Sequence, residues 1–397
     1  MAEQDIFILG AARTPIGSFG GALSTLGPDA LGIIAAKEAI ARAGVPAAAV
    51  DNAVVGNVIP TQPADLYLGR VIGIGAGLPV TAPGLTLNRL CGSGAQAIAT
   101  AATLIRAGES RIALACGAEV MSRAPYSLGE MRTGRKMGDA SVTDWMLGAL
   151  TDPFGCGAMG ITAETVAERH EITREDQDAF AAESQRRAAE AIAAGRFAAE
   201  IVPVLIQSRK GEALVQQDEY PRAGTTVAQL AALRPAFRKE GRVTAGNASG
   251  INDGAAAVVL ASGAEVAARG LALMGRLLSW AVAGVPPEVM GLGPVEAVPM
   301  ALDRAGLALA DMDVIESNEA FAAQAIAVNR LLGLAPDRVN PNGGAIALGH
   351  PLGATGTILT VKALYELRRR GGRYGLVTMC IGGGQGIALV IEALRAD

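Results

Sequence analysis

Histidine and cysteine are scarce in this chain, which has two histidines and four cysteines among its 397 residues. The cysteines are widely spaced and include no CxxC pair; they are Cys91, Cys116, Cys156 and Cys380. Such spacing is typical of neither a disulfide framework nor a zinc site, so we predict free thiols and no bound metal. Free thiols favour a reducing compartment, which makes the cytoplasm the expected location.

Long apolar runs and clusters of basic residues are also missing. No stretch of about 18 uninterrupted apolar residues is present, so we predict no transmembrane helix. The first five residues, MAEQD, lack the basic region of a secretory signal peptide. The formal net charge is −4, and without a basic block neither nucleic acid nor a membrane is an expected partner.

Small and apolar residues make up much of what is present. Half of the residues are hydrophobic, only 4% are aromatic, and 51 are glycine. Together with alternating strand and helix patterns, this composition indicates an α/β fold in which layers of helices cover mixed, mostly parallel sheets. The length of 397 residues predicts two or three domains.

The chain contains two pairs of similar segments. Residues 39–51 align without gaps with residues 301–313, and each segment predicts a helix with a glycine C-cap followed by a strand. Farther along, residues 91–115 and 350–379 each predict a helix and then a strand. Two collinear matches favour an internal duplication, although α/β proteins also reuse one order of elements without it.

The middle of the chain breaks this repeated pattern. We interpret residues 121–250 as an insertion between two related halves. The first half is predicted over residues 1–120, completed by about 251–272, and the second half over residues 273–397. Inserted loops on a duplicated scaffold often carry binding, so the insertion is the candidate binding domain.

Two helices are predicted within the insertion. The first begins near Thr162. The second has Thr173 as its N-cap, with Asp176 at the capping-box position, and it ends at Gly195.

Cys91 lies in the segment NRLCGSG at residues 88–94, where an apolar strand pattern meets a glycine turn and then a helix. This order predicts a strand-to-helix elbow of the kind that presents a nucleophile. The N–H groups at a helix N-terminus stabilise a thiolate and can hold an oxyanion. The alternative interpretation is a small, buried, unreactive cysteine.

His350 occupies the position in the second half that corresponds to Cys91 in the first. If the halves pack about a pseudo-twofold axis, both helix starts face one cleft, and a histidine beside a cysteine can activate it. A capping or core histidine is the alternative, which the many glycines around residue 350 make less attractive.

Two further residues lie at predicted strand ends. Cys380 precedes the run Gly382–Gly384, whose N–H groups can form an anion-binding nest. Asn318 follows an apolar strand, where a side-chain amide can orient a water or a carbonyl. Alone, the first could be a buried core thiol and the second a helix cap.

Together these segments resemble the thiolase family along nearly the whole chain. The similar motifs are RTPIG at 13–17, NRLCGSG at 88–94, NEAF at 318–321, GHP at 349–351 and CIGGG at 380–384. Four of them are separate family signatures in the family's order, so the resemblance is specific. Residues 56–70 look like bacterial β-ketothiolases of broad chain-length range. The resemblance implies a duplicated thiolase-like fold and acyltransferase activity.

The resemblance also implies a role for each candidate residue. Cys91 is similar to the acylated nucleophile, and His350 would take its proton. Cys380 would protonate the departing acetyl-CoA carbanion, or abstract the α-proton in the synthetic direction. Asn318 would hold a water that forms one oxyanion hole with His350. The backbone N–H groups of Cys91 and Gly382 would form the other.

Coenzyme A is implied as a co-substrate, with no permanently bound cofactor. The expected partners are CoA thioesters, namely acetyl-CoA and 3-ketoacyl-CoA, and further copies of the chain in a homodimer or homotetramer. CoA would lie against the inserted domain, and its expected contacts are Leu150, Met159, Arg222, Ala245, Ser249, Ala320 and Phe321.

The chain departs from the family pattern at Ala158. Acetoacetyl-CoA thiolases usually carry a histidine immediately before the Met-Gly of the inserted domain, whereas here an alanine precedes Met159. This difference argues against strict specificity for acetoacetyl-CoA.

Two other functions remain open at the level of sequence. A decarboxylating ketoacyl synthase of the Cys-His-His type needs two active-site histidines, and only His350 has a suitable context. The Cys-His-Asn type needs only one active-site histidine, which this chain has, but it does not use a cysteine in the place of Cys380. A non-catalytic acyl-CoA or lipid carrier with a degenerate thiolase fold would not need to keep Cys91, His350, Asn318 and Cys380 together.

Overall fold

A computed structural model describes residues 5–208 and 211–394. The elements before residue 121 are β1 (Ile6–Arg13), β2 (Gly17–Ser18), α1 (Pro28–Ala43), β3 (Asn52–Gly56), α2 (Leu68–Gly75), β4 (Gly84–Leu87), α3 (Ser93–Arg106) and β5 (Ile112–Val120). In this described part of the chain, no helix is long and apolar enough to cross a membrane, and no cluster of side chains could hold a metal ion.

The middle of the chain adds short strands and four helices. They are β6 (Tyr126–Ser127), β7 (Thr143–Asp144), α4 (Trp145–Ala149), β8 (Thr151–Asp152), β9 (Gly157–Ala158), α5 (Met159–Arg169), α6 (Arg174–Ala193), β10 (Val204–Ser208), β11 (Gly211–Val215) and α7 (Val227–Ala231).

The remaining elements complete the first half and form the second. They are β12 (Asn252–Ser262), α8 (Gly263–Arg269), β13 (Gly275–Gly284), α9 (Gly293–Ala305), β14 (Val314–Ser317), α10 (Ala322–Leu332), α11 (Ala345–Leu348), α12 (Leu352–Arg370), β15 (Tyr374–Ile381) and β16 (Gln385–Ala393).

One large sheet carries both halves, in the strand order β14-β15-β16-β13-β1-β12-β5-β3-β4. Read outward from the centre, the first half runs β1-β12-β5-β3 and the second runs β13-β16-β15-β14, which is the same arrangement. The halves meet where β1 pairs with β13 over residues 6–8. This repeated order agrees with the predicted duplication.

Equivalent helices in the two halves also end alike. Helix α1 ends at Gly44 and α9 at Gly306, both in the left-handed conformation with φ of 67° and 66°. Glycine adopts this conformation without steric cost, so the two glycines of the aligned segments act as the predicted C-caps.

The sheet is mixed, as predicted, but the prediction of mostly parallel strands holds only within each half, because β1 and β13 run in opposite directions where the halves meet. In the first half only β12 runs against its neighbours, and in the second only β16 does. Each of these two strands has a neighbour on both sides, and both of its pairings are antiparallel. Antiparallel pairings therefore outnumber parallel ones in the sheet. The sequence pattern did not show that the reversed strand would lie between two parallel ones.

Helices α3 and α12 pack against each other between the two halves of the sheet. The largest apolar cluster surrounds them, and it includes Ile98, Leu359 and Leu389. A second cluster lies under α1, and a third lies under α9. The fold is therefore layered, with the two equivalent helices at its centre.

The predicted helices of the insertion are present with shifted ends. Thr173 caps α6, and it exchanges hydrogen bonds with Asp176 in the predicted capping box. Helix α6 ends at Ala193, slightly before the predicted Gly195. Helix α5 begins at Met159, with Ala158 as its N-cap, rather than near Thr162.

Arg13, in the RTPIG motif, ties the inserted segment to β1. Its buried guanidinium pairs with Glu200 at 2.7 Å and with Asp218 at 2.7 Å. It also lies over the ring of Phe197, 5.2 Å from the centroid. Removing one partner of a buried ion pair leaves an uncompensated charge, which is more costly than the pair itself is stabilising.

Arg13→Ala is therefore expected to lower the free energy of unfolding by about 3–5 kcal/mol. Urea unfolding followed by circular dichroism measures this change. Arg186→Ala is the control, because Arg186 forms exposed ion pairs with Glu183 and Glu190 that are worth at most about 1 kcal/mol. Equal small effects of the two substitutions would contradict the anchoring role of Arg13.

Candidate active site

Cys91 lies at the predicted elbow, between the end of β4 at Leu87 and the start of α3 at Ser93. Leu90, directly before it, has a φ of 46°, which is rare for a residue with a side chain. The Ser93 hydroxyl donates to the Leu90 carbonyl at 2.7 Å and accepts from the Arg89 N–H at 2.8 Å. The turn is thus held in a strained shape that presents the cysteine.

The starts of α3 and α12 are in direct contact. A Cβ atom added to Gly94 would lie 2.7 Å from the backbone nitrogen of Thr357, and one added to Gly356 would lie 2.3 Å from that of Ala95. Only glycine permits this approach. Cys91 and His350 each lie two residues before one of these helices, so the structure brings together the two helix starts that carry them.

Burial and nearby backbone N–H groups act in opposite directions on the pKa of the Cys91 thiol. Burial raises the pKa of this thiol to about 11, while the N–H groups of Gly382 and of Cys91 itself lower it, and Glu119 raises it. The two N–H groups predicted to form an oxyanion hole are thus the groups that lower the pKa of this thiol. An oxygen of a substrate carbonyl attacked by this sulfur would develop its charge close to them.

His350 is buried, and its hydrogen bonds fix its tautomer. Its Nδ1 lies 2.7 Å from the Thr355 hydroxyl, which donates its proton to the Pro351 carbonyl at 2.9 Å. The hydroxyl must then accept from Nδ1–H, which leaves a lone pair on Nε2. Burial lowers the pKa of His350 to about 4, so the ring is neutral and available as a base.

Asn318 lies beside this basic nitrogen, since its Nδ2 is 3.4 Å from Nε2 of His350. Its backbone N–H donates to the Thr378 carbonyl at 3.0 Å, which holds the end of β14 against β15. Its Oδ1 is buried without a hydrogen-bond partner among the described residues. That oxygen can accept a hydrogen bond from a water or a substrate group.

Cys380 lies near the end of β15 and is buried in an apolar cluster. Burial and the nearby Cys91 both raise its pKa well above the ordinary range of a thiol, so Cys380 rests as S–H. In the turn that follows, Gly383 and Gly384 have φ of 80° and 86°, a conformation that favours glycine. Gly382 lies in the same turn, and its N–H lowers the pKa of the Cys91 thiol.

Several expected CoA contacts surround the two cysteines. Leu150 joins Met159 through a 2.9 Å backbone hydrogen bond, and Ser249 joins Ala320 through one of 3.0 Å. Phe321 belongs to the cluster that buries Cys380, as do Met159 and Ala320. A Cβ atom on Gly382 would lie 3.3 Å from the Met159 methyl group, so Met159 flanks the glycine turn.

The other two expected contacts, Arg222 and Ala245, lie elsewhere. They line a cavity of about 330 Å³ with Gln185, Gly246 and Ile346. The Arg222 N–H donates to Gln185 of α6 at 2.8 Å, which anchors this part of the insertion.

Ala158 is half-buried within the insertion. It pairs with Thr151 in the β8–β9 ribbon and directly precedes Met159 at the start of α5. A larger side chain at this position would therefore lie next to the residue that flanks the glycine turn.

Sequence reasoning missed several residues that support the site. Thr355 selects the tautomer of His350, and Asn252 accepts the His350 backbone N–H at 2.9 Å. Glu119 accepts from Val58 at 2.9 Å and from Gly353 at 2.8 Å, so it joins the first half to the start of α12. The glycines near Gly353 marked this segment of the sequence as a candidate site. Asn252 lies 98 residues from His350, so the sequence gave no sign that the two residues are in contact.

The fold and the site define a class of protein: a duplicated α/β fold that brings a cysteine at a helix start, a buried histidine at the equivalent helix start and a second cysteine close together. The family model of the thiolase N-terminal domain matches residues 6–264, and that of the thiolase C-terminal domain matches residues 271–393. The chain belongs to the thiolase family. The predicted fold class and enzyme class are confirmed.

Proteins of similar sequence match this chain over nearly its full length. Beta-ketothiolase BktB of Cupriavidus necator is 54% identical over 392 residues, which cover 98% of this chain and 100% of that protein. An acetyl-CoA acetyltransferase of Pseudomonas aeruginosa is 50% identical, covering 98% of this chain and 99% of the relative. The crystal structure of human mitochondrial 3-ketoacyl-CoA thiolase in complex with CoA superposes with a TM-score of 0.96. It is 44% identical, and the match covers 99% of both chains.

Proposed function

We propose that this protein transfers an acyl group reversibly between CoA and acetyl-CoA, by thiolysis of 3-ketoacyl-CoA or by the reverse Claisen condensation. The observation that carries the proposal is the direct contact between the starts of α3 and α12, the two helices that Cys91 and His350 precede. The neutral His350 and the protonated Cys380 supply the base and the acid that this reaction needs.

In the first half-reaction, the Cys91 thiol gives its proton to Nε2 of His350, and its sulfur attacks the 3-keto carbon of the substrate. The oxygen of that carbon takes the electron pair beside one of the two oxyanion holes. When the carbonyl re-forms, the bond between C2 and C3 breaks. The released carbanion of acetyl-CoA takes the proton of the Cys380 thiol, and acetyl-CoA leaves.

In the second half-reaction, CoA replaces acetyl-CoA. Its thiol gives a proton to the Cys380 thiolate, and its sulfur attacks the acyl group on Cys91. Collapse of the tetrahedral intermediate expels the Cys91 sulfur, which recovers its proton from His350. A thiolate suits both steps because it is a strong nucleophile and a good leaving group.

The position of Asn318 supports its proposed role in binding a water. Its Nδ2 lies beside His350 Nε2, and its buried Oδ1 lacks a protein partner among the described residues. A water held by this amide, together with His350, would form one oxyanion hole. The N–H groups of Cys91 and Gly382 would form the other.

The inserted segment is the proposed CoA-binding domain, over residues 121–250. The flanking halves would be residues 1–120, completed by about 251–272, and residues 273–397. Strand β12 lies inside the sheet of the first half although it follows the insertion, which supports this division. CoA would contact Leu150, Met159, Arg222, Ala245, Ser249, Ala320 and Phe321, and no permanent cofactor is needed.

We also propose a cytoplasmic homo-oligomer, a dimer or a tetramer. Strand β4 lies at the edge of the sheet with Leu85 exposed, and an exposed strand edge can pair with another chain. Large apolar side chains are exposed on the insertion as well, among them Tyr126, Met131 and Leu147. Exposed apolar side chains of this size favour an interface between subunits, and sedimentation velocity would measure the assembly.

Thiolysis of a 3-ketoacyl-CoA by free CoA tests the proposed function. We expect cleavage to acetyl-CoA and a shortened acyl-CoA, with no requirement for malonyl-CoA. Condensation that occurs only with decarboxylation of malonyl-CoA would instead support a ketoacyl synthase. Binding of acyl-CoA without either reaction would support a carrier. The buried Cys380 favours the thiolase, because the synthase of the Cys-His-Asn type does not use it.

Substrates longer than four carbons are expected to be accepted, because Ala158 leaves room where related enzymes carry an imidazole. Each buried methylene contributes about 0.8 kcal/mol. Ala158→His should therefore lower the ratio of kcat/KM for six-carbon to four-carbon 3-ketoacyl-CoA by about tenfold, the effect of two methylenes.

Steady-state kinetics on both substrates measures that ratio, with exposed Ala194→His as the control. A wild-type enzyme that strongly prefers acetoacetyl-CoA, together with an unchanged ratio in Ala158→His, would show that this residue does not set chain length.

A further inference from the structure

Two loops from different halves of the chain form the proposed oxyanion hole of Cys91 and Gly382. The nucleophile loop is residues 88–92, and the glycine turn is residues 381–385. One hydrogen bond between side chains joins them in the described part of the chain. Nη1 of Arg89 donates to Oε1 of Gln385 at 2.9 Å.

Each end of this hydrogen bond belongs to a rigid part of its loop. The Arg89 N–H donates to the Ser93 hydroxyl at 2.8 Å, at the strained elbow. Gln385 pairs with Ile381 across the β15–β16 hairpin. The carbonyl of Gly384 accepts from the Val285 N–H at 2.8 Å, which holds the other side of the turn.

Between the two loops, the close contacts set a glycine of one loop against an apolar side chain of the other. A Cβ atom on Gly92 would lie 2.5 Å from the Cδ1 of Ile381, and one on Gly382 would lie 3.2 Å from the Cδ1 of Leu90. Glycines therefore let the loops approach, but they have no side chains with which to hold that approach. A displacement of about 1 Å at a reacting centre can cost roughly a hundredfold in rate.

Arg89 has no competing charged partner in the part of the chain that the structure describes. No ion pair of this residue is found there, and its buried Nε has no hydrogen-bond partner. The guanidinium is partly buried, so it gives up hydration to reach Gln385. Held at this single acceptor, the Arg89 guanidinium mainly fixes the distance between the two loops. Its positive charge is the smaller contribution.

We propose that Arg89 and Gln385 are positioning residues whose hydrogen bond sets the spacing between the Cys91 and Gly382 N–H groups. The inference rests on the proposed function, because it concerns the oxyanion hole of that reaction. Neither side chain needs to touch the substrate. The bond acts through the two loops, and its loss should weaken stabilisation of the transition state more than binding of CoA thioesters.

The test compares Arg89→Met, Gln385→Met and the double variant in steady-state thiolysis. Each single substitution should lower kcat about tenfold, with KM changed by less than about twofold. The double variant should be no slower than the slower single variant, because both remove the same bond. Gln385→Glu keeps an acceptor oxygen and should retain kcat within about twofold.

A second readout reports the geometry at Cys91 without turnover. The Gly382 N–H lowers the pKa of the Cys91 thiol. Alkylation by iodoacetamide should therefore require a higher pH in Gln385→Met than in wild type or Gln385→Glu. Arg106→Met is the control, because Arg106 stacks on Trp280 away from both loops, and it should change neither readout.

The inference is overturned if kcat is unchanged in both single variants, if KM rises in proportion to the loss of kcat, or if the losses multiply in the double variant. If Arg89→Met does not fold, the comparison of Gln385→Met with Gln385→Glu decides by itself. A wild-type enzyme that forms no acyl-Cys91 would instead contradict the proposed function, so the two failures are distinct.

Discussion

Cys91→Ser is expected to abolish thiolysis, with a loss of kcat of about a thousandfold or more, while CoA still binds. A serine hydroxyl stays protonated at neutral pH and is a much weaker nucleophile than a thiolate. The change replaces one atom, so the elbow, the His350 tautomer and the CoA contacts should remain. Steady-state kinetics measures the first effect, and isothermal titration with CoA measures the second.

Cys116→Ala is the matched control. Cys116 lies in β5, the strand of the first half that corresponds to β15, and it is buried in the apolar cluster under α1. Activity should survive its removal. Retention of substantial thiolysis by Cys91→Ser, or an equal loss in both variants, would remove Cys91 from the role of nucleophile.

Cys380→Ser is expected to separate the two chemical steps. Cys91 and His350 remain, and CoA can leave as a thiolate without a proton from Cys380, so acetyl-CoA should still acylate Cys91. Proton transfer at the α-carbon should fail, because a serine hydroxyl is a poor acid or base near neutral pH. The expected result is a loss of about a hundredfold or more in exchange of acetyl-CoA methyl protons with solvent deuterium.

Proton NMR of acetyl-CoA in heavy water measures this exchange, and intact-protein mass measures the acetylation of the same variant. Exchange at the wild-type rate would show that another group moves the proton. Loss of both exchange and acetylation would place Cys380 in the first step instead.

Much of the fold was readable from the sequence because its signals are local. Gly44 and Gly306 end equivalent helices, and the capping box of Thr173 and Asp176 needs only three residues of chain. The short pairing of β1 with β13 was not readable, because residues 6–8 show no pattern that selects one neighbouring strand over another. The position of β12 between β1 and β5 was not readable either, because the whole insertion separates β12 from these two strands in the sequence.

The chemical residues of the candidate site were predicted because glycine turns mark them. Cys91 and Cys380 adjoin such turns, and His350 follows one. The residues that orient them are ordinary in sequence and become visible only in three dimensions. Thr355 is one threonine of a buried helix, and Arg89 meets its partner 296 residues farther along the chain.

The most direct measurement of the central claim is the acetylation of wild-type Cys91. Brief incubation with acetyl-CoA, followed by peptide mapping by mass spectrometry, should find one acetyl group on the peptide that contains Cys91. Added CoA should remove this group and regenerate acetyl-CoA. An acetyl group on another residue, with Cys91 unmodified, would contradict acyl transfer through this thiol.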